Sequence, residues 1–215
     1  MSKYDNFNDI NQNTIENLLV QGESIIWQGK PKKSAFIINK ITKMMPIAIF
    51  WLLFDLFFIF MSSSAFAEMG LFLIIFFAFH LLPVWIWLSN VLTASKKWKN
   101  TEYAVTDKRI IAKTGFIGMD YISVYYKDIK NVRLSVGIID KMLGVGDIYF
   151  DTYSTNFGTN NASGTGTAFL DIEDAYQIYP KVQKVVLDIQ TDIEFPNDLR
   201  PNTNSGYNTK YNSKF

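Results

Sequence analysis

The chain has 215 residues, 48% hydrophobic and 16% aromatic, and its 21 basic and 20 acidic residues nearly cancel to a formal net charge of +1. So even a balance gives no signal for nucleic acid, and no nucleic-acid partner is expected. The absence of cysteine excludes disulfides, thiolate metal sites and cysteine nucleophiles.

The beginning, MSKYDNFNDINQNTIENLL, is polar and lacks the short apolar core and small-residue cleavage site of a secretory signal. Residues 1–43 are read as a cytoplasmic segment, in which GESIIWQGKP offers an edge strand.

Residues 44–61, MMPIAIFWLLFDLFFIFM, are apolar except for Asp55, and as a helix they extend roughly 27 Å, close to the hydrocarbon thickness of a bilayer. Residues 69–92, MGLFLIIFFAFHLLPVWIWLSNVL, form a second apolar run with Pro83 inside it and Trp85 and Trp87 placed for the headgroup interface. The short connection SSSAFAE at 62–68 forces the two helices to be antiparallel, so residues 44–93 are expected to form a transmembrane helical hairpin in the lipid bilayer. Lys30, Lys32, Lys33, Lys40 and Lys43 precede the hairpin, Lys96, Lys97 and Lys99 follow it, and the connection carries only Glu68. The positive-inside bias puts both termini in the cytoplasm.

Asp55 and His80 are the polar anomalies of the hairpin. Each lies about 11 or 12 residues from the cytoplasmic end of its span, roughly 16–18 Å by helical rise, so the two are at matching depth. A carboxylate facing an imidazole satisfies both groups where water is absent, and such intramembrane residues are functional candidates. A helix-packing hydrogen bond is the simpler account of the pair and is preferred, since a proton path needs more than one such pair. As the single histidine, His80 leaves no multi-histidine metal centre and no soluble-type catalytic triad to assemble.

Residues 94–195 are read as a cytoplasmic domain in which β-branched and aromatic runs alternate with turn residues. TEYAVT, RIIAKTG, YISVYY, IKNVRLSVG, DIYFDTYS and TAFLDI give six strands. From Ala175 the residues Ile178, Val182, Val185, Val186 and Ile189 recur at helical spacing, with Pro180 either kinking that helix or marking its first turn. A strand meander ending in one amphipathic helix buries its open face by curling, with the helix as plug. Residues 196–215 lack apolar periodicity and are expected to be disordered.

Most local motifs have structural explanations. Gly164-Thr165-Gly166-Thr167 lacks the following Gly-Lys-Ser/Thr and runs into no helix, so it is a loop and not a phosphate cradle; Asn161-Ala162-Ser163 fits a glycosylation sequon on the wrong side of the membrane. Asp171, Glu173 and Asp174 suit the positive end of the last helix better than a metal, and Asp147 and Asp151 share a strand face and read as solvated. Lys96, Lys97 and Lys99 sit at the cytoplasmic interface, where anionic lipid attracts them. Lys108, Arg109, Lys113, Lys127, Lys130 and Arg133 are candidates for headgroup or partner contact, with scattered solvated charge as the simpler reading. No signature of a phosphoinositide site stands out.

The order of these features resembles the bacterial pleckstrin-homology-like (PH-like) membrane proteins. The carrying residues are Gly22-Glu23-Ser24-Ile25-Ile26-Trp27 with Gly29-Lys30-Pro31, then the hairpin, then Tyr103 leading to Thr106-Asp107-Lys108-Arg109 and the turn glycine Gly115. Ile129-Lys130-Asn131-Val132 and Leu143-Gly144-Val145-Gly146 follow. The resemblance implies an α+β fold, a PH-like bent β-barrel capped by a C-terminal helix, at the inner face of a bacterial plasma membrane. It implies no reaction. No enzyme activity, cofactor or metal is therefore expected, and the leading function is contact with a protein partner or a lipid headgroup. The alternative is an oligomeric transport or channel subunit that self-associates through the hairpin and uses Asp55 and His80.

Overall fold

The computed structural model describes residues 14–61, 66–152 and 167–194. The loop at 154–166 with its glycine run and sequon, most of the connection at 62–68, and the tail 196–215 lie outside the described residues. Two compact units emerge: one runs to Lys32 and resumes at Asn100, and the other is Lys33–Lys99.

The first unit contains two antiparallel sheets. β1 (Ile25–Gly29), β2 (Glu102–Thr106), β3 (Arg109–Thr114) and β4 (Asp120–Tyr125) form one; β5 (Ile129–Ser135), β6 (Val145–Thr152) and β7 (Thr167–Glu173) form the other. Each of the six strands expected after residue 100 is present. The GESIIWQGKP segment supplies a seventh: β1 pairs with β2 from Ile25↔Thr106 to Gly29↔Tyr103, although the whole helical unit separates them in sequence.

Alternation builds the core. Along β6, Ile148, Phe150 and Thr152 are buried while Asp147, Tyr149 and Asp151 between them are partly exposed, the period of two that a half-covered strand requires. The inward residues of both sheets meet around Phe169, whose ring centroid lies 4.8 Å from Tyr103, 4.9 Å from Phe150 and 5.6 Å from Trp27. α6 (Ala175–Glu194) closes this core with Val182, Val185, Val186 and Ile189. The helix continues through Pro180, which is exposed. A second small core lies on the outer face of the first sheet, where Ile15, fully buried in a 3₁₀ turn at Ile15–Leu18, packs on Ala104 and Ile111.

One element the sequence reading lacks is a short helix between β5 and β6. It occupies Ile138–Leu143, starts with Gly137 N–H donating to Asp140 Oδ2 at 2.9 Å, and ends on Gly144 in the left-handed region at φ 67°.

The second unit holds α1 (Lys33–Thr42), α2 (Met45–Met61), α3 (Phe66–His80) and α4 (Leu82–Lys99), so the short helix at Ile138–Leu143 is α5. Lys33–Met61 is a 29-residue helical stretch long and apolar enough to cross a membrane, and Gly70–His80 with Leu82–Lys99 would make a second such length but is bent by 53°. Pro83 accounts for the bend: it has no N–H to donate, and its ring crowds the preceding turn. The chain closes the break with Val84 and Trp85 N–H donating to Leu81 O at 2.9 and 3.0 Å. Two indoles satisfy carbonyls beside it, Trp51 Nε1 donating to His80 O at 2.7 Å and Trp85 Nε1 to Ala78 O at 3.0 Å.

Candidate functional site

In the helical unit, Asp55 of α2 and His80 at the end of α3 come together, with Asp55 Oδ1 2.7 Å from His80 Nδ1. Asp55 is buried, and among the described residues its Oδ2 has no hydrogen-bond partner. The imidazole lies in an aromatic cage, stacked on Phe76 at 5.2 Å and flanked by Trp51 at 5.3 Å and Phe54 at 6.2 Å. Trp51 therefore serves twice, packing on the ring and bonding the carbonyl of the same residue. The Pro83 break frees that carbonyl, which links the kink to the polar pair.

In the sheet unit, a second polar cluster joins two motifs far apart in sequence. Glu23 and Arg109 form a two-pronged ion pair, Nε to Oε1 at 3.0 Å and a terminal nitrogen to Oε2 at 3.1 Å. The Glu23 side chain is fully buried and that of Arg109 is 12% exposed. The same Arg109 nitrogen donates to Leu18 O at 2.6 Å, and the Thr106 hydroxyl lies 2.7 Å from Glu23 Oε1. Burial by itself would raise the Glu23 carboxyl, but hydrogen bonds from Arg109, the Val20 amide and Thr106, with the guanidinium charge, outweigh it and hold the carboxyl below its ordinary value.

The rest of Thr106-Asp107-Lys108-Arg109 acts on the same segment. Asp107 accepts from the Ser24 amide and hydroxyl at 3.0 Å each, and Lys108 Nζ donates to Gln21 O at 3.2 Å. The Thr106 hydroxyl accepts from the Lys108 and Arg109 amides, tightening the turn. Four consecutive side chains thus fasten residues 18–24 to the end of the β2–β3 turn. Both motifs are visible in the sequence, yet their pairing is not, because 86 positions separate Glu23 from Arg109.

A family model described as Bacterial PH domain matches residues 48–186. The chain belongs to this family. No curated protein and no solved structure matches it. Bacterial PH domains are PH-like and generally non-catalytic, which favours a binding module over an enzyme. Within this member the Glu23–Arg109 cluster reads as architecture: the matched residues begin after β1, and the cluster ties β1 to them.

The basic candidates do not share one bacterial PH surface. Arg109 is used by Glu23, and Lys113 is buried with Nζ 3.7 Å from Glu102 Oε2. Lys108 is exposed at the β2–β3 turn, whereas Lys127, Lys130 and Arg133 are exposed around β5. Arg133 lies 3.5 Å from Asp151 Oδ2 and over the Tyr149 ring at 4.6 Å. Lys130 with Lys184 of α6 lines an open groove of about 410 Å³ between β5 and α6. In the helical unit, Lys96 and Lys99 are exposed and Lys97 half-buried in the last turn of α4, where cations suit the negative end of the helix.

The acidic candidates are structural as well, and the reading of Asp147 and Asp151 as solvated does not hold. Asp151 faces Arg133, and Asp147 accepts from the Asp171 amide at 2.9 Å and the Tyr149 hydroxyl at 3.2 Å. Burial, reinforced by the charge of Asp140, raises the Asp147 carboxyl. Glu173 pairs with Lys32 at 2.9 Å, and Asp174 meets α6 through its carbonyl, which accepts from the Gln177 and Ile178 amides.

Proposed function

We propose that this bacterial PH protein is a non-enzymatic module anchored in the bacterial plasma membrane by Lys33–Lys99, with both termini cytoplasmic, and that its sheet unit holds a protein or a lipid headgroup there. The observation that carries the anchor is the inverted burial of the helical unit. Phe50, Leu53, Phe57, Leu71, Ile74 and Phe79 each expose more than half of their surface, whereas the carboxylate of Asp55 is buried. A surface this apolar suits lipid and not water, and inward-facing polar groups suit a helix pair surrounded by hydrocarbon. The lysines on both flanks support the orientation. The groove at Lys130 and Lys184 supports contact with an acidic group on a partner.

The test is crosslinking of the full chain in native membranes. A copurifying protein that persists through alkaline carbonate washing and is lost in Lys130→Glu/Lys184→Glu supports the reading. Release of the chain itself by carbonate would refute the anchor.

A second reading, an oligomeric transport or channel subunit, is favoured by the buried Oδ2 of Asp55, which has no hydrogen-bond partner among the described residues, beside His80. Two spans cannot enclose a pore, so several copies would have to assemble. Unchanged ion flux through reconstituted Asp55→Asn and His80→Ala variants rejects it.

A further inference from the structure

The three most exposed large apolar side chains among the described residues are not in the helical unit: they are Ile117 at 92%, Ile138 at 85% and Met142 at 82%. They belong to two separately built elements. Ile117 sits in the β3–β4 turn, whose fold is fixed by Gly115, because any side chain there would collide with the carbonyl of Gly118. Ile138 and Met142 are four apart on α5 and share a face. Ile139 and Leu143 of that helix are partly buried, so it presents a second apolar face that the described residues of the unit do not cover.

Both elements lie at one end of the sheet unit, the end from which the chain leaves for the helices and to which it returns. Gly29 of β1 pairs with Tyr103 of β2, which brings the outgoing and returning segments side by side. Asn100 Nδ2 donates to Gly115 O at 3.2 Å, which fixes the β3–β4 turn beside the returning segment. Lys32 Nζ donates to Leu143 O at 3.1 Å, which fixes the end of α5 beside the outgoing one. Exposed Lys30 and Lys141 add positive charge at the same end.

We infer that Ile117, Ile138 and Met142 form a membrane-docking edge that dips into the interface of the anionic bilayer beside the anchor. The inference rests on the anchoring proposed above. Residues 93–99 separate the apolar run ending at Leu92 from the sheet unit, roughly 10 Å of helical rise, which is on the order of one headgroup layer. A connection of that length lets the end that carries these side chains reach interfacial depth, where apolar residues flanked by lysine bind anionic lipid. Two connections and an inserted edge would hold the unit in one orientation, leaving the groove between β5 and α6 for a partner.

The absence of native cysteine permits a direct test. Ile117→Cys, Ile138→Cys and Met142→Cys would each be labelled with bimane in the full chain. The protein would be reconstituted in phosphatidylethanolamine and phosphatidylglycerol vesicles with brominated acyl chains. Phe50→Cys reports the span, and Lys108→Cys, at the opposite turn of the first sheet, is the aqueous control. Emission at 117, 138 and 142 should shift to the blue and lose most of its intensity to the brominated lipid, while the label at 108 keeps its own. If those three behave like 108 while 50 is quenched, the docking edge is wrong and the anchor stands. If 50 is also unquenched, the anchor fails and takes the docking edge with it.

Discussion

Glu23 and Arg109 meet within the sheet unit although 86 positions separate them in sequence: the carboxylate precedes β1, the guanidinium opens β3, and the two lie 3.0 Å apart with the carboxylate fully buried. Removing one partner leaves the other desolvated and unpaired. Glu23→Gln should destabilise the fold by about 3 kcal/mol, and Arg109→Met in the same chain should recover part of that loss. Urea unfolding of the detergent-solubilised protein, followed by near-ultraviolet circular dichroism, measures both.

The same carboxyl sets a pH dependence. Its folded value lies below the ordinary 4.5, so the unfolded chain binds the proton more readily than the folded one. The stability that Glu23 contributes is complete above 4.5 and is lost as pH falls through the depressed folded value. The wild type should therefore lose stability on acidification more steeply than Glu23→Gln, and equal slopes would contradict the assignment.

Asp147 has the opposite sign. Burial and the Asp140 charge raise its carboxyl, so the folded state holds the proton more tightly and stability falls as pH climbs from the ordinary carboxylate range through the raised value. Asp147→Asn keeps an oxygen for the Asp171 amide and removes the charge. It should raise the melting temperature at neutral pH and match the wild type in acid. Tyr149, pushed up to about 12 by burial and by Asp147, should titrate at lower pH in that variant, as absorbance would record.

In the helical unit, His80→Ala strips Asp55 of its hydrogen-bond partner and should cost about 3 kcal/mol. Asp55→Leu removes the demand and should be milder, and the double variant should resemble Asp55→Leu alone. Trp51→Phe, which keeps the ring packing and loses the bond to His80 O, should cost about 1 kcal/mol. Thermal loss of helicity in detergent ranks all four.

Phe169→Ala should be the most damaging single truncation in the sheet unit, about 3–5 kcal/mol, because its ring contacts Trp27, Tyr103 and Phe150 at once. A chain in which a short glycine-serine linker replaces residues 33–99 should fold as a water-soluble unit, while one beginning at residue 100 should not, since it lacks β1 and Glu23. Dispersed amide spectra from the first, and collapsed ones from the second, are the expected result.

What the sequence determined by itself is local and periodic. Alternation marked the strands from Glu102 to Glu173, helical spacing marked α6, and hydrophobic length marked the apolar helices, because each is a property of neighbouring residues. Helical rise alone set Asp55 and His80 at similar distances from the outer ends of their apolar runs. Tertiary structure decided whatever joins distant residues. It placed β1 in the sheet across the helical insertion and turned Arg109 and Lys113 from a surface rim into ion pairs with Glu23 and Glu102. It also left Ile138 and Met142 of α5 exposed among the described residues. Burial and pairing depend on which surfaces meet, and no window of sequence contains both partners.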